Sequence, residues 1–212
     1  NYNISFFICF IKYYPHREAT LFLISRPLFP LSDSQVAQSY KQQFYMKVLE
    51  EIKVSVYENV YSKKPKVMSF LEVIIMCIHP VYATIINTIR RYYADGDHAA
   101  AQKLKNQLPC FTPAGTFNGA HAIKHFLLPS HIVGLDYDHV KNRLEVIQRC
   151  AADPHTVAAI ESPTDGVKIF AYVEDIEGRH REGQQLVSRY YNQLLGLESD
   201  PACKDESRLC YF

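Results

Sequence analysis

Asp136 and Asp138 stand one residue apart at the end of an apolar run, 132–135. On a strand, residues i and i+2 point to the same face. Two carboxylates so placed could jointly hold a hard divalent cation, Mg²⁺ or Mn²⁺, through oxygen. A third carboxylate would complete the protein's share, and Asp200 and Asp205 are the two candidates downstream. Lys168 and Arg208 are cations suited to triphosphate oxygens. Such a set fits metal-assisted nucleotidyl transfer, in which the metal activates a 3′-hydroxyl and steadies the leaving pyrophosphate. An isolated D-x-D also describes a strand that ends in solvated acids at a turn, so the chemistry depends on distant segments reaching the same place.

From residue 131 the hydrophobic periods predict those segments. A strand over 132–135 is followed by a helix over 141–150, with Val140, Leu144 and Ile147 on one face. Strands are expected over 156–160 and 167–173, with a turn at 162–166 between them. A second helix follows over 182–195, with Leu186, Tyr190 and Leu194 at i, i+4 and i+8. A last strand occupies 208–212. The order is β-α-β-β-α-β, the split βαβ arrangement. Its sheet order, 4-1-3-2, makes the first strand central and antiparallel to both neighbours. The end of that strand, with Asp136 and Asp138, would lie beside the starts of strands three and four. Lys168, Asp205 and Arg208 stand there, with Asp200 just upstream. The expected fold class is therefore α+β, an RRM-like or ferredoxin-like core over 131–212 with a mostly helical part over 46–130.

In that upstream part, 52–57 alternates as a strand. Ser69 and Glu72 have capping-box spacing ahead of a helix over 70–77. A helix over 80–93 ends at Asp95-Gly96, and Asp97 caps another over 98–107. The stretch 108–117, with two prolines, reads as an irregular loop. Residues 1–45 keep no period and are expected to stand outside the functional domain. The chain begins at Asn1, its first methionine is Met46, and its end at Phe212 reads as a strand cut short.

Composition narrows the classes further. Lysine plus arginine number 23 against 22 acids, a net charge of +1. No bulk basic field exists for nucleic acid, so any such contact needs a local patch. The six cysteines form no C-x-x-C pair and no zinc-finger spacing, and read as reduced thiols of a cytoplasmic protein. No run approaches the ~18 apolar residues of a membrane span, so no membrane partner is expected.

Several stretches together resemble the VirE N-terminal domain family of bacterial mobile-element and phage-like proteins. They are 105–109, 111–117, 134–138, 162–168 and 200–209. That family looks like a divergent branch of the archaeo-eukaryotic primase and primase-polymerase superfamily. The resemblance implies an RRM-like catalytic core. Its h-D-x-D motif falls on Asp136 and Asp138. Its small-x-His motif falls on Ser162–Lys168, with lysine in place of histidine and both residues binding substrate. Its acidic motif falls on Asp200 or Asp205, with Arg208 beside it. Implied partners are a nucleoside triphosphate, single-stranded DNA and a VirE-type ATPase or helicase region. No G-x-x-x-x-G-K-[ST] pattern is present in this chain. The expected function is thus a primase-like, metal-dependent nucleotidyltransferase in replication of a mobile element. The alternative is a non-catalytic module that binds a nucleotide or single-stranded nucleic acid.

Other residues have plainer readings. His121 and His125, four apart, would share a helix face but lack an evident third metal ligand. His131 and His139 flank the D-x-D pair. Tyr92-Tyr93 and Tyr190-Tyr191 could stack bases but read as core or rim. Arg90-Arg91, Lys103 and Lys105 could line a nucleic-acid backbone but read as a solvated face.

Overall fold

Ser69 starts the helix over 70–77 by a closed capping box. Its hydroxyl accepts the Glu72 N–H at 3.2 Å, and the Glu72 carboxylate accepts the Ser69 N–H at 2.9 Å. The structure, a computed structural model, describes residues 11–12, 20–21, 47–174 and 176–212. A two-residue ladder pairs β1 (Ile11–Lys12) with β2 (Thr20–Leu21). The remainder of the expectation for 1–45 lies outside the described residues.

Beyond it follow β3 (Lys53–Tyr57), β4 (Lys66–Ser69) and α1 (Phe70–Cys77). A 3₁₀ turn at Pro80–Tyr82 leads into α2 (Ala83–Ala94), and Asp97 caps α3 (His98–Lys105). Then come β5 (Cys110–Thr112), β6 (Gly115–Phe117), β7 (Phe126–Pro129), β8 (Ile132–Tyr137) and α4 (Arg143–Ala152). The chain closes with β9 (Thr156–Glu161), β10 (Val167–Tyr172), α5 (His180–Leu195) and β11 (Cys210–Tyr211). Gly196 ends α5 in the left-handed conformation, at φ 68°, which suits the residue without a Cβ. Among the described residues no single helix is long and apolar enough to cross a membrane.

The strands form antiparallel sheets ordered β11-β5-β3-β4 and β8-β10-β9, with β6 and β7 as a separate hairpin. Three of the four expected core strands stand in the expected 1-3-2 order. The fourth does not join them. β11 pairs with β5, Cys210 opposite Phe111, and completes the sheet of the upstream half. The complete βαββαβ core is therefore not what forms. The upstream half supplies β3 to β7 besides its helices. The stretch 108–117 is two strands rather than a loop. Its proline and glycine mark only the turn at 113–115, and three-residue strands are too short to display a period.

The two sheets face each other across one core. Phe111 and Val56 from one sheet meet Phe170, Ile160 and Ile132 from the other, and α1 inserts Phe70 and Ile74. The Phe70 and Phe170 rings lie 5.5 Å apart, edge to face. The opposite face of β8-β10-β9 carries Leu135, Tyr137, Ile169 and Ala171 against α4 and α5. On both helices the buried stripe differs from the expected one. α5 buries Val187, Tyr191 and Leu195, one position on from Leu186, Tyr190 and Leu194. α4 buries Val146 and Cys150, and leaves Leu144 exposed. Two adjacent apolar stripes compete in each helix, and tertiary packing chooses between them.

Candidate functional site

β8 and β10 set the first two functional side chains directly opposite each other. Lys168 is the cross-strand partner of Asp136, and its ammonium donates to Asp136 Oδ2. Their side chains are 3% and 15% exposed, so the pair stands largely out of water. Burial pushes Lys168 towards neutrality. Asp136, then Cys210, outweigh it and hold the ammonium above its ordinary value. The second oxygen, Asp136 Oδ1, is buried and has no hydrogen-bond partner.

The turn between β9 and β10 is built to bring Lys168 to that place. Ser162 Oγ accepts the N–H groups of Thr164 and Gly166, at 3.3 and 2.9 Å. A Cβ on Gly166 would sit 2.3 Å from the Tyr137 carbonyl oxygen, so only glycine lets the turn close against β8. Ser162 is thus spent on the turn, and its carbonyl accepts from Arg90 at 3.0 Å. Arg90 also pairs with Glu161 at 2.7 Å, so it belongs to no free basic strip.

The segment after α5 brings Asp200 to the end of β8. The Asp200 N–H donates to the Asp136 carbonyl at 2.8 Å, which ties the segment to the end of β8. Asp200 Oδ2 accepts from Arg208 Nη2 at 2.9 Å. Asp205 turns elsewhere and accepts from Ser207 N and Oγ within its own turn. Of the two candidates, Asp200 joins Asp136. Asp138 lies at the rim. Burial, then the neighbouring Asp136 charge, holds it above the usual carboxylate range, while Lys168 and Lys105 oppose the shift.

Lys105 joins this group from the last turn of α3, a position the sequence reading assigned to a solvated face. Burial, then Lys168, holds it below the ordinary lysine value, while Asp136 and Asp138 act against that. Its ammonium lies 5.1 Å from the centre of the Tyr211 ring, a cation–π contact. The signal available in sequence was only its place, directly before the segment that enters β5. Lys103 stays exposed.

A second group borders the rim. His139 has φ 56°, in the left-handed region, and its Nδ1 meets Asp165 Oδ2 at 2.8 Å. That hydrogen bond, then the Asp165 charge, raises the imidazole above its ordinary value. Tyr93 stacks on His139 with ring centres 6.5 Å apart. Tyr191, by contrast, is core, its hydroxyl 2.8 Å from Thr156 Oγ1. His121 packs edge-on to Tyr57, and His125 ends a 3₁₀ turn, so the two share no α-helix face.

Among the described residues no group of three or more His, Cys, Asp or Glu is arranged to hold a metal ion. For a divalent cation brought in with phosphates, one or two carboxylates would be the protein's share. Mg²⁺ keeps several waters and needs only one or two protein carboxylates. Asp136 Oδ1 is an unused buried acceptor, and Asp138 stands two residues on. The described cysteines are free. Burial pushes the Cys203 and Cys210 thiols up to about 12 and about 11, so both stay protonated at neutral pH.

Fold and site together define a mixed α/β domain whose facing antiparallel sheets hold a buried lysine–carboxylate pair at one end. The chain belongs to the family described as BT4734-like, N-terminal domain, whose model matches residues 103–212. This corrects the resemblance drawn from sequence: the matching family is not the VirE N-terminal family, and nothing found shows a relationship to primases. The short stretches behind that resemblance all lie inside the matched span, but turns and strand ends of this kind recur among unrelated folds. No curated protein and no solved structure matches the chain.

Proposed function

We propose that this domain is a binding module for a nucleotide, which it takes by its phosphates at the end of the β8–β10 pair. The observation that carries the reading is the Lys168 pair with Asp136, a carboxylate with one buried oxygen unused, beside Arg208 on the adjoining Asp200 and Lys105, which feels the Asp136 and Asp138 charges. Three chain segments more than twenty residues apart supply those cations. Phosphate oxygens are the ligand chemistry such a group fits. The carboxylates would repel a polyphosphate on their own. A divalent cation held by Asp136 and Asp138 would supply the bridging positive charge. Lys168 is committed to Asp136, so its role is to hold that carboxylate in place. Lys105 and Arg208, nearer the surface, would reach the ligand.

A second reading, metal-dependent nucleotidyl transfer, is favoured by Asp138. A carboxyl held above its usual range beside an ionised one is suited to receive a proton from an attacking hydroxyl.

The deciding experiment is equilibrium binding of a nucleoside triphosphate by the whole chain, with and without Mn²⁺. Lys105→Ala/Arg208→Ala is expected to weaken binding by about tenfold or more. Asp138→Asn is expected to remove the metal dependence. Unchanged affinity in the double variant, with its fold verified by circular dichroism, would overturn the binding site. A single-stranded oligonucleotide as second ligand separates a free nucleotide from a nucleic-acid backbone. Incorporation of labelled nucleotide, lost in Asp138→Asn, would promote the transferase reading.

A further inference from the structure

A second concave surface lies on α5. Arg181, Gln184, Ser188 and Asn192 follow one another at helical spacing and form a stripe along one side of the helix. The segment 198–204 runs across this stripe, and the two enclose a cleft of about 550 Å³. That volume lies in the range of small-ligand sites, about 300–1,000 Å³. The lining is polar, unlike a surface awaiting an apolar partner.

Two features of the cleft point to a ligand. The first is charge. Arg181, Arg189 and Lys204 line it against a single carboxylate, Glu198, and leave a net charge of +2. None of the three cations has an ion pair or side-chain hydrogen bond among the described residues. Glu198 is already engaged by Asn192 Nδ2 at 2.7 Å. The second is Gln184. It lines the cleft, is only 5% exposed, and its carboxamide has no hydrogen-bond partner among the described residues. Its amide atoms are not sealed off but open to the cleft, where a ligand can supply the partner that no described residue provides.

We propose that the cleft between α5 and the 198–204 segment binds a phosphorylated, nucleotide-sized ligand. Arg181, Arg189 and Lys204 surround its phosphate, and the Gln184 carboxamide meets a polar group at the buried end. A phosphate monoester carries about −1.5 to −2 at neutral pH, which matches the lining. Guanidinium groups recognise it in a two-pronged geometry that single carboxylates satisfy with less charge. The cleft lining includes none of Asp136, Lys168, Lys105 and Arg208, although the 198–204 segment serves both places: the Asp200 N–H bonds the Asp136 carbonyl, and Lys204 lines the cleft.

The test is calorimetric titration of the whole chain with adenosine 5′-monophosphate, and separately with a single-stranded hexanucleotide, in the absence of divalent metal. Arg189→Glu/Lys204→Glu is expected to weaken binding by about tenfold or more. Gln184→Met is expected to lower affinity several-fold while the melting temperature holds or rises, because the amide has no partner to lose. Tighter binding of the monophosphate assigns the cleft to a free nucleotide, and tighter binding of the hexanucleotide to a nucleic-acid phosphate. Either supports the phosphate chemistry. Failure of both probes to bind at millimolar concentration overturns the proposal. So does binding indifferent to the charge reversals, or a Gln184→Met variant that loses stability and keeps its affinity.

Discussion

Lys168 is a charge with almost no access to water, and Asp136 is its ion-pair partner. Removing one member of a buried pair leaves the other uncompensated, whereas replacing both by apolar groups is often neutral. Lys168→Met is therefore expected to destabilise the domain by about 3–5 kcal/mol, and Asp136→Leu/Lys168→Met to recover most of that loss. Urea denaturation of the two variants checks this, and an equal loss in both would refute it. His180 gives a pH prediction. It is buried, and burial holds its imidazole below the ordinary value, against Glu206 and Asp205. The unfolded chain therefore binds a proton that the folded chain refuses. Stability from this group is complete above the unfolded value of about 6.5 and declines as pH falls from there through the lower folded value. His139 acts in the opposite sense, since Asp165 raises it. The readout is accordingly the difference between wild type and His180→Phe: the variant should lose less melting temperature between pH 7 and pH 5. An unchanged slope would remove His180 from the account.

At the scale of elements, the ends of the helices and the turn before β10 govern what the strands can present. Ser69 is 4% exposed, and its hydroxyl and N–H are both engaged with Glu72. Ser69→Ala is expected to cost about 1 kcal/mol, measured by chemical denaturation, because α1 loses its cap at the point where Phe70 enters the core. Ser69→Asp should retain most of the stability. Gly166 controls a different alignment. Any Cβ there meets the Tyr137 carbonyl, so Gly166→Ala is expected to push the 162–166 turn off β8 and disturb the register of Lys168 with Asp136. The amide resonances of residues 136–138 and 166–168 should move together in that variant, and shifts confined to the substituted residue would contradict the coupling.

At the scale of the whole molecule, the last few residues hold the two halves together. β11 completes the upstream sheet, and Phe212, 2% exposed, packs on Phe111 with ring centres 6.0 Å apart and on Tyr82 at 5.8 Å. Its N–H also donates to the Pro109 carbonyl at 2.9 Å. Burial of Cys210 and Phe212 makes this segment intolerant of change. Phe212→Ala is expected to cost about 3–5 kcal/mol, and deletion of residues 209–212 to unfold the domain. A deletion variant with unaltered melting temperature would show that β11 adds nothing.

Much of the molecule was legible in its residues, and the unreadable parts share one cause. Caps at Ser69 and Asp97, the periods of β8, β9 and β10, and the 1-3-2 order joining them arise from short connections and from interactions within a few positions. The sequence therefore determined that Asp136 and Lys168 would meet, since each stands at a known place on neighbouring antiparallel strands. It did not determine which open sheet edge β11 would take, because a two-residue strand carries almost no pattern and either edge satisfies its hydrogen bonds. That choice belonged to the facing sheets, whose common core around Phe111 and Phe170 requires Cys210 and Phe212 on the β5 side. The same packing decided that Asp200 rather than Asp205 reaches Asp136, and brought Lys105 from a surface helix into the site. Contacts between residues a hundred positions apart depend on how layers stack, and only the tertiary structure expresses them.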